Sequence, residues 1–378
     1  MKLKVLSSAD ITVGTRVLVR IDSDIDIVRG KIAPESAYRL DCAIPTLKFL
    51  LKNKAVVTVM GHRGRPAGKK VPALSLAPAQ KYLEAKLKTK LYFLPNTRFD
   101  VREEKNDSGY ARELAKDQDV FVNDSFATAH RKHASTYGIT RLLPSYAGFQ
   151  FEKEVRTLEA IRDAAPQPLS LIIGGAKIET KIPLIKQFTK YAQHIFIVGA
   201  AANAFFAARG MKIGSSVVSA ASIRAARKLL LQKNIITPVD VIVRSGKKSR
   251  AVALPEESNQ KRFEICSGAE MILDIGPASL VCMSEMLASA RGIVWNGPPG
   301  KFEQQPFHLG TVRIARMLAH AGRSGATVVA GGGETVMGIL QSKMSGGYTH
   351  ISTGGGAMLE FLSGSRMPVI DALLAKNE

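Results

Sequence analysis

Cysteine is scarce in this sequence, which has only Cys42, Cys266 and Cys282 in 378 residues. An odd number of thiols at these spacings fits neither a disulfide framework nor a zinc site, and it suits a reducing compartment. Aromatic residues are also few, at 6% with a single tryptophan. Because single-stranded nucleic acids are bound largely by stacking on aromatic rings, this scarcity argues against a nucleic-acid module.

Long hydrophobic runs are missing as well. No stretch approaches 18 uninterrupted apolar residues, and the first twenty residues lack the apolar segment and small-residue cleavage site of a secretory signal. We therefore expect a soluble, cytoplasmic protein with no membrane partner.

Acidic residues are under-represented, because 32 Asp and Glu face 53 Lys and Arg to give a formal charge of +21. This excess favours anionic ligands, but it does not identify the anion. Many of the cations occupy positions typical of a solvated surface, namely Lys69, Lys70, Lys247, Lys248 and Arg250.

What the sequence does contain is a repeated β/α pattern. Short runs rich in Val and Ile end in Gly, Asp or Asn and give way to helical periodicity, which is typical of parallel β/α units. The pattern predicts ten strands within residues 16–23, 55–62, 90–95, 120–126, 169–175, 194–199, 239–243, 271–276, 292–297 and 327–333. Since the chain is too long for one core, we predict an α/β fold of two doubly wound parallel-sheet (Rossmann-like) domains.

The boundary between the two domains is predicted at a helix. Residues 151–165 have charged and apolar side chains at helical spacing, and Pro166 and Pro168 would stop that helix. We therefore predict an N-terminal domain over residues 1–150, an interdomain helix and hinge over 151–168, and a second domain that starts at residue 169.

Glycines cluster at four predicted strand ends in the second half. Backbone without side chains lets peptide N–H groups approach phosphate oxygens, so these loops indicate nucleotide binding. The four clusters are Gly174-Gly175, Gly297 with Gly300, Gly331 to Gly333, and Gly354 to Gly356. None matches a P-loop or a GxGxxG motif after a strand, so a dehydrogenase loses its main support.

The first half places basic residues at or just beyond its predicted strand ends. These residues are His62, Arg65, Arg98, Arg131 and His133. Because arginine can grip phosphate bidentately, the set suits a small phosphorylated acid.

One segment is specific to a protein family. VNDSFATAHRKHAS, residues 122–135, closely resembles the phosphoglycerate kinase segment usually written VNDAFGTAHRAHAS. Further motifs resemble that family in the family's order: GHRGRP (61–66), AGFQFEKE (147–154), IIGGAKIETKI (172–182), DIGPAS (274–279), VWNGPPGKFE (294–303), AGGGETV (330–336) and HISTGGGAMLEFL (350–362). The resemblance implies reversible phosphoryl transfer between ATP and the carboxylate of 3-phosphoglycerate, giving ADP and 1,3-bisphosphoglycerate.

The resemblance also implies a role for each half. A monomer would hold 3-phosphoglycerate in its N-terminal domain, to which residues 364–378 return, and ATP or ADP with Mg²⁺ in residues 169–363. The residues implied for 3-phosphoglycerate are Asp22, Asp24, Arg39, His62, Arg65 and Arg131. Those implied for catalysis are Arg39, Lys177, Lys181, Gly333 and Gly356. Those implied for the nucleotide are Lys181, Asn296, Glu303, Gly332, Gly333, Glu334 and Thr335, with Glu334 also the metal ligand.

Structural roles compete with some of these assignments. Asp22 is nearly as well explained as a buried group that holds Arg39, and His133 and Asp274 are readily explained as structural. The acceptor carboxylate is already ionised at neutral pH, so the reaction needs no general base. Catalysis would then consist of aligning two anions and stabilising charge on the transferring group.

Several positions depart from the family pattern, including Asp26, Pro95 and Val198, and three of them bear most on the predicted sites. Asp24 stands in place of Asn and Gln167 in place of Arg, while Glu334 replaces Asp. An added carboxylate is unfavourable beside an anionic substrate, and a missing arginine would weaken binding roughly tenfold to 150-fold. The Gln167→Arg variant is therefore predicted to lower the Michaelis constant for 3-phosphoglycerate.

Two other functions stay open at this point. A weakened or repurposed relative would act as a phosphoanion-binding protein, and a coupled kinase assay would distinguish it. The charge of +21 would alternatively mark a nucleic-acid-binding protein, with steeply salt-dependent binding. We expect no specific nucleic-acid partner, because the sequence has no recognised nucleic-acid motif.

Overall fold

A computed structural model describes residues 1–256 and 262–375. Residues 376–378 of the predicted N-terminal domain lie outside the described residues. The chain divides into two compact units. The first unit comprises Met1–Ala160 together with the chain from Gly356 onward, and the second unit comprises Ile161–Gly355.

The first unit is built on a parallel five-stranded sheet in the order β5-β4-β1-β6-β7, beside a short antiparallel hairpin of β2 and β3. Its strands are β1 (Arg16–Ile21), β2 (Ile27–Val28), β3 (Lys31–Ile32), β4 (Val56–Met60), β5 (Tyr92–Phe93), β6 (Val120–Asp124) and β7 (Ser145–Ala147). Its first helices are α1 (Pro34–Asp41), α2 (Ile44–Lys52), α3 (Ala77–Leu87) and α4 (Ser108–Ala115).

Both faces of this sheet are covered. Alternate residues of a strand point to opposite faces, so Val17, Val19 and Ile21 of β1 enter one apolar cluster while Leu18 enters another. Arg20 follows Leu18 on the same face and is fully buried. A buried arginine in the central strand needs polar partners, which the candidate site supplies.

Residues near the two ends of the chain pair with each other in the first unit. Leu3 bridges Leu374, Lys4 N donates to Leu373 O at 2.8 Å, and Ala375 N donates to Lys2 O at 2.8 Å. Helix α13 (Pro368–Leu373) precedes this contact, after α12 (Gly355–Leu362).

Helix α5 (Phe149–Ala164) confirms the predicted helix and ends just before Pro166. The division between the two units falls inside it, between Ala160 and Ile161. The same helix therefore contributes residues to both units.

The second unit has a parallel six-stranded sheet in the order β11-β9-β8-β16-β17-β18. Its strands are β8 (Leu169–Ile173), β9 (His194–Ile197), β10 (Lys212–Ile213), β11 (Ile235–Ile236), β12 (Asp240–Ser245), β13 (Lys248–Ala253), β14 (Glu264–Cys266), β15 (Met271–Ile275), β16 (Gly292–Asn296), β17 (Thr327–Gly331) and β18 (His350–Ser352). Its helices are α6 (Ile182–Phe188), α7 (Ala200–Ala208), α8 (Ala220–Arg227), α9 (Pro277–Leu287), α10 (Leu309–Arg323) and α11 (Gly333–Ser342).

All ten predicted strands are present, and two parallel α/β sheets confirm the fold class. Two strands differ in their partners, because β12 and β15 lie in a separate antiparallel sheet ordered β13-β12-β15. Their apolar runs resemble those of the parallel strands, so periodicity alone could not distinguish the two sheets. None of the helices in the described ranges is both long and apolar enough to cross a lipid bilayer.

Candidate functional site

The first-unit candidate site lies where the strand order reverses around β1. Strands β4 and β6 pair with opposite edges of β1, so the loops after the three strands open a crevice. These loops carry the predicted residues: Asp22 and Asp24 follow β1, His62 and Arg65 follow β4, and Arg131 follows β6. We call this set, with Arg39, the basic crevice.

Arg39 lies in the last turn of α1 and contacts both acidic residues of the β1 loop. Its Nε lies 3.3 Å from Asp22 Oδ2, and its guanidinium donates to the Asp24 carbonyl oxygen. Burial raises the pKa of Asp22 and the Arg39 charge opposes that shift, while Asp22 in turn raises the pKa of Arg39. This contact supports Asp22 as the group that positions Arg39.

His62 is buried and neutral. Burial and then the Arg20 charge lower its pKa well below the ordinary value. Arg20 lies 3.0 Å from His62 Nδ1, and a guanidinium can only donate. Nδ1 therefore accepts, and the imidazole proton sits on Nε2, which lies 3.7 Å from Asp24 Oδ2.

Arg20 was not predicted as part of the site. Its Nε donates to Ser135 Oγ at 3.0 Å, and Ser135 donates to Glu103 Oε1 at 2.6 Å, so a buried carboxylate balances the buried guanidinium. The sequence signal was a charged residue inside an otherwise apolar strand. We infer that Arg20 positions His62.

Arg98 is the second residue that the family-based assignment left out. It is 4% exposed, and its guanidinium donates to the Gly64 carbonyl at 2.8 Å. Its Nη2 has no hydrogen-bond partner, and burial lowers its pKa. The nearby Arg131 donates from Nε to His130 Nε2 at 3.0 Å, whereas Arg65 is exposed.

The positive charge of the crevice comes from arginine rather than histidine. Burial, reinforced by neighbouring arginines, lowers the pKa of His130 to about 4 and that of His133 to about 3. His133 Nδ1 lies 3.9 Å from the buried Glu103, which supports the structural role weighed for it above.

The second-unit candidate site lies at the carboxyl ends of β8, β16, β17 and β18, where the glycine-rich loops of this unit, up to Gly355, lie. A Cβ at Gly174 would overlap the carbonyl oxygens of Pro298 and Gly297, and one at Gly297, whose φ is +94°, would overlap Gly174. The two loops can therefore lie this close only because both residues are glycine.

Lys181 is buried among these loops. Its ammonium group donates to the Gly174 carbonyl, and to the Asn296 carbonyl at 3.4 Å. Burial lowers the pKa of Lys181 to about 8, against the opposing charge of Glu334. The Lys181 ammonium group is therefore a desolvated cation held by two backbone carbonyl oxygens within the glycine loops.

The other predicted nucleotide residues divide into two groups. Asn296 donates to Gly331 O at 2.8 Å, and Thr335 Oγ1 accepts from Gly297 N at 2.8 Å, so these two buried side chains join adjacent loops. Gly332 lies next to both side chains and has a φ of +103°, a conformation that favours glycine. The exposed residues are Lys177, Glu303, Gly333, Glu334 and Gly356.

A cavity of about 210 Å³ extends beside Lys181 in the second unit. Its lining includes Gly175, Glu303 and Glu334 together with the apolar side chains of Phe206 and Ile272. A cavity with apolar walls and a few polar groups fits a phosphorylated nucleoside.

The residues of this site suit Mg²⁺ only if the nucleotide phosphates supply most of its ligands. Among the residues that the structure describes, no group of three His, Cys, Asp or Glu is placed to hold a metal ion. Glu334 is a single carboxylate at the surface whose pKa is raised by partial desolvation and then by Glu303. Since Mg²⁺ is commonly held by one or two carboxylates plus substrate phosphates, the residues present suit an ion that arrives with its nucleotide.

Two departures from the family pattern fall in different units. Asp24 lies in the basic crevice, where Oδ1 accepts from Gly64 N at 2.8 Å. Gln167 lies in the second unit, where its Oε1 accepts from Leu169 N at 3.2 Å. The weaker substrate binding inferred from Gln167 stays a prediction, and Arg98 supplies the crevice with an arginine that the assignment had omitted.

Comparison with known proteins gives consistent matches along the chain. The family model described as Phosphoglycerate kinase matches residues 7–95 and 86–365. A phosphoglycerate kinase from Maricaulis maris is 35% identical over 410 residues, covering 100% of this chain and 99% of the relative. The solved phosphoglycerate kinases from Coxiella burnetii (30% identity, TM-score 0.80) and Pyrococcus horikoshii (28% identity, TM-score 0.86) each match 98% of this chain over 98% of their own.

Proposed function

Since the chain belongs to the phosphoglycerate kinase family, we propose that its basic crevice binds 3-phosphoglycerate and its glycine loops bind ATP. The family identifies the chain as a kinase of glycolysis that transfers a phosphoryl group reversibly between ATP and the carboxylate of 3-phosphoglycerate. Nothing observed favours the repurposed, non-catalytic relative.

The observation that carries the proposal is the buried Lys181 ammonium among the glycine loops. Its pKa of about 8 leaves it mostly protonated at neutral pH, so it can neutralise charge on the transferring group. Exposed peptide groups of Gly333 and Gly356 would donate to the same phosphate oxygens, and Lys177 would add a solvent-facing charge. When bound, magnesium would neutralise further phosphate charge, with Glu334 as its protein ligand.

The basic crevice is proposed to bind 3-phosphoglycerate through its phosphate and its carboxylate, the two negatively charged groups of this substrate. Arg65, Arg98 and Arg131 suit the 3-phosphate, because guanidinium groups match phosphate bidentately. Arg39, held by Asp22, suits the carboxylate that receives the phosphoryl group. Neutral His62 would donate one hydrogen bond from Nε2.

Each substrate is thus assigned to one unit, and transfer requires the reacting atoms to come into line. We propose that residues 151–168, which contain the part of α5 where the units divide, act as the hinge, with residues 1–150 and 364–378 forming the substrate domain and 169–363 the nucleotide domain. We also propose that the enzyme works as a cytoplasmic monomer without a specific nucleic-acid partner.

A coupled assay with ATP, magnesium and 3-phosphoglycerate tests the proposal. Wild type is expected to form 1,3-bisphosphoglycerate, while Arg39→Met and Lys181→Met are each expected to lose at least about 100-fold in kcat. As matched controls, Arg29→Met and Lys186→Met remove the same charges from exposed positions and should change kcat little. An inactive wild-type protein, or variants with unchanged kcat, would overturn the proposal.

A further inference from the structure

The base-binding end of the nucleotide cavity contains one polar side chain that the reaction does not use. Among the cavity-lining residues of the described ranges, five have polar side chains: Asn203, Asp274, Lys301, Glu303 and Glu334. The last three are exposed and therefore belong to the cavity mouth.

Asp274 is buried, and each of its carboxyl oxygens already has a backbone N–H partner. Its Oδ1 accepts from Ile275 N at 2.9 Å, and its Oδ2 accepts from Gly310 N at 2.9 Å. Among the described residues of this lining, Asn203 is the buried side chain that has a polar atom without a hydrogen-bond partner.

Asn203 lies in α7 and is 1% exposed. Its Nδ2 donates to the Val217 carbonyl oxygen at 3.1 Å. Because a carbonyl only accepts, the amide cannot be turned around, and Oδ1 must be the atom left over. That Oδ1 is buried and has no hydrogen-bond partner in the structure.

A buried acceptor without a donor is unfavourable, and a ligand that supplies the donor relieves this cost. The same lining contains the apolar side chains of Phe206, Val217 and Ile272. Apolar walls enclose any purine equally well. The single polar requirement at this end of the cavity is therefore a donor on the base.

We propose that Asn203 Oδ1 accepts a hydrogen bond from the 6-amino group of adenine, so that the enzyme selects adenine over guanine nucleotides. The proposal rests on the proposed function, in which this cavity holds the nucleotide. Guanine carries an oxygen at position 6, and two acceptors would then face each other. Sites built to pair a donor discriminate strongly against a ligand that lacks it.

Unmodified protein provides the first test, through titration calorimetry with a series of purine nucleoside diphosphates and magnesium. ADP and the 2,6-diaminopurine analogue should bind roughly 5-fold to 150-fold more tightly than GDP, IDP and the purine riboside diphosphate, which lack the 6-amino group. Equal affinities across the series would overturn the proposal. Preference for GDP and IDP would also overturn it, because the acceptor would then be reading the N1–H of a 6-oxo purine.

A variant provides the second test. Asn203→Leu keeps the volume but removes the acceptor. The affinity for ADP should therefore fall to that for the purine riboside diphosphate, while the affinity for GDP stays the same or increases. The control Asn234→Leu removes an amide of the same unit that donates to Thr189 O and Ala192 O outside the cavity, and it should leave the ADP to GDP ratio unchanged. A preserved ratio in folded Asn203→Leu would contradict the proposal, and if that variant does not fold the analogue series decides alone.

These measurements separate two kinds of failure. Binding is measured without turnover, so adenine selectivity without 1,3-bisphosphoglycerate formation would reject the proposed function and keep the role of Asn203. Turnover that uses ATP and GTP with equal kcat/KM would keep the function and reject that role.

Discussion

Lys181 keeps its charge in surroundings that disfavour it. The free-enzyme pKa of about 8 predicts that kcat/KM for ATP falls above pH 8, because the deprotonated amine no longer attracts phosphate. The pH profile of kcat/KM at saturating 3-phosphoglycerate checks this. Lys181→Arg, which stays charged, should remove the alkaline limb even if its activity is lower. A profile that is identical in both proteins would assign the limb to another group.

Asp24 places a carboxylate in the crevice that we propose binds the anionic substrate. Asp24→Asn keeps an oxygen to accept from Gly64 N but removes the charge, so the KM for 3-phosphoglycerate should fall about fivefold, the effect of about 1 kcal/mol of repulsion at 4 Å in water-like surroundings. Steady-state kinetics measure it. Asp26→Asn removes the same charge from a neighbouring exposed position and should change KM less. Gln167→Arg in the same assay tests whether the second departure contributes.

Some residues were predictable and others were not, for a physical reason. Arg39 and Lys181 were predicted from short motifs that resemble the family, and the glycine loops from glycine runs at strand ends, which are local features of the sequence. The roles of Arg20 and Asn203 depend on partners far along the chain, Ser135 and the Val217 carbonyl. The neutrality of His62 depends on burial, which no motif reports.

At the scale of an element, the start of α11 combines an open helix terminus with an exposed glycine. A Cβ at Gly333 would meet nothing within 4 Å, so Gly333→Ala should leave the melting temperature unchanged or slightly raised. The added methyl group would nevertheless obstruct close approach of a phosphate, and the KM for ATP should rise. Gly346→Ala, equally unobstructed but outside the loops, is the control and should alter neither quantity.

At this scale, the sequence pattern predicted the positions of the strands but not their partners in the sheets. The apolar runs of β12 and β15 were correctly assigned as strands, yet they pair antiparallel and outside the main sheet. Strand partners are fixed by long-range packing and connection geometry, so the run of Val and Ile residues carries no information about them. The helix before Pro166, by contrast, was predictable because its stop signal is local.

At the scale of the whole molecule, buried histidines make stability depend on pH. The pKa of His133 is about 3 in the folded chain and near 6.5 when unfolded, so the unfolded chain binds more protons between these values. This group's contribution to the free energy of unfolding therefore falls as pH falls from 6.5 toward 3. Denaturant titrations from pH 7 to 4.5 should show that the free energy of unfolding depends less steeply on pH in His133→Gln than in wild type.

The exposed His320 offers a control for that comparison. His320→Gln makes the same chemical change at the surface, so its profile is the reference for His133→Gln. Raised carboxyl pKa values, about 6 for Asp124 and about 7 for Asp274, act in the opposite direction in the same range, so the difference between variant and wild type is the quantity to measure. A steeper profile in His133→Gln would contradict the assignment.

The pairing of residues 2–4 with residues 373–375 has a consequence for biosynthesis. A ribosome synthesises residues 2–4 before the second unit and residues 373–375 after it, so residues 2–4 must wait for their partner. The second unit, Ile161–Gly355, is continuous and can finish its own hydrogen bonding sooner. In the growing chain, the second unit is therefore expected to mature before the first unit, although synthesis of the first unit begins earlier.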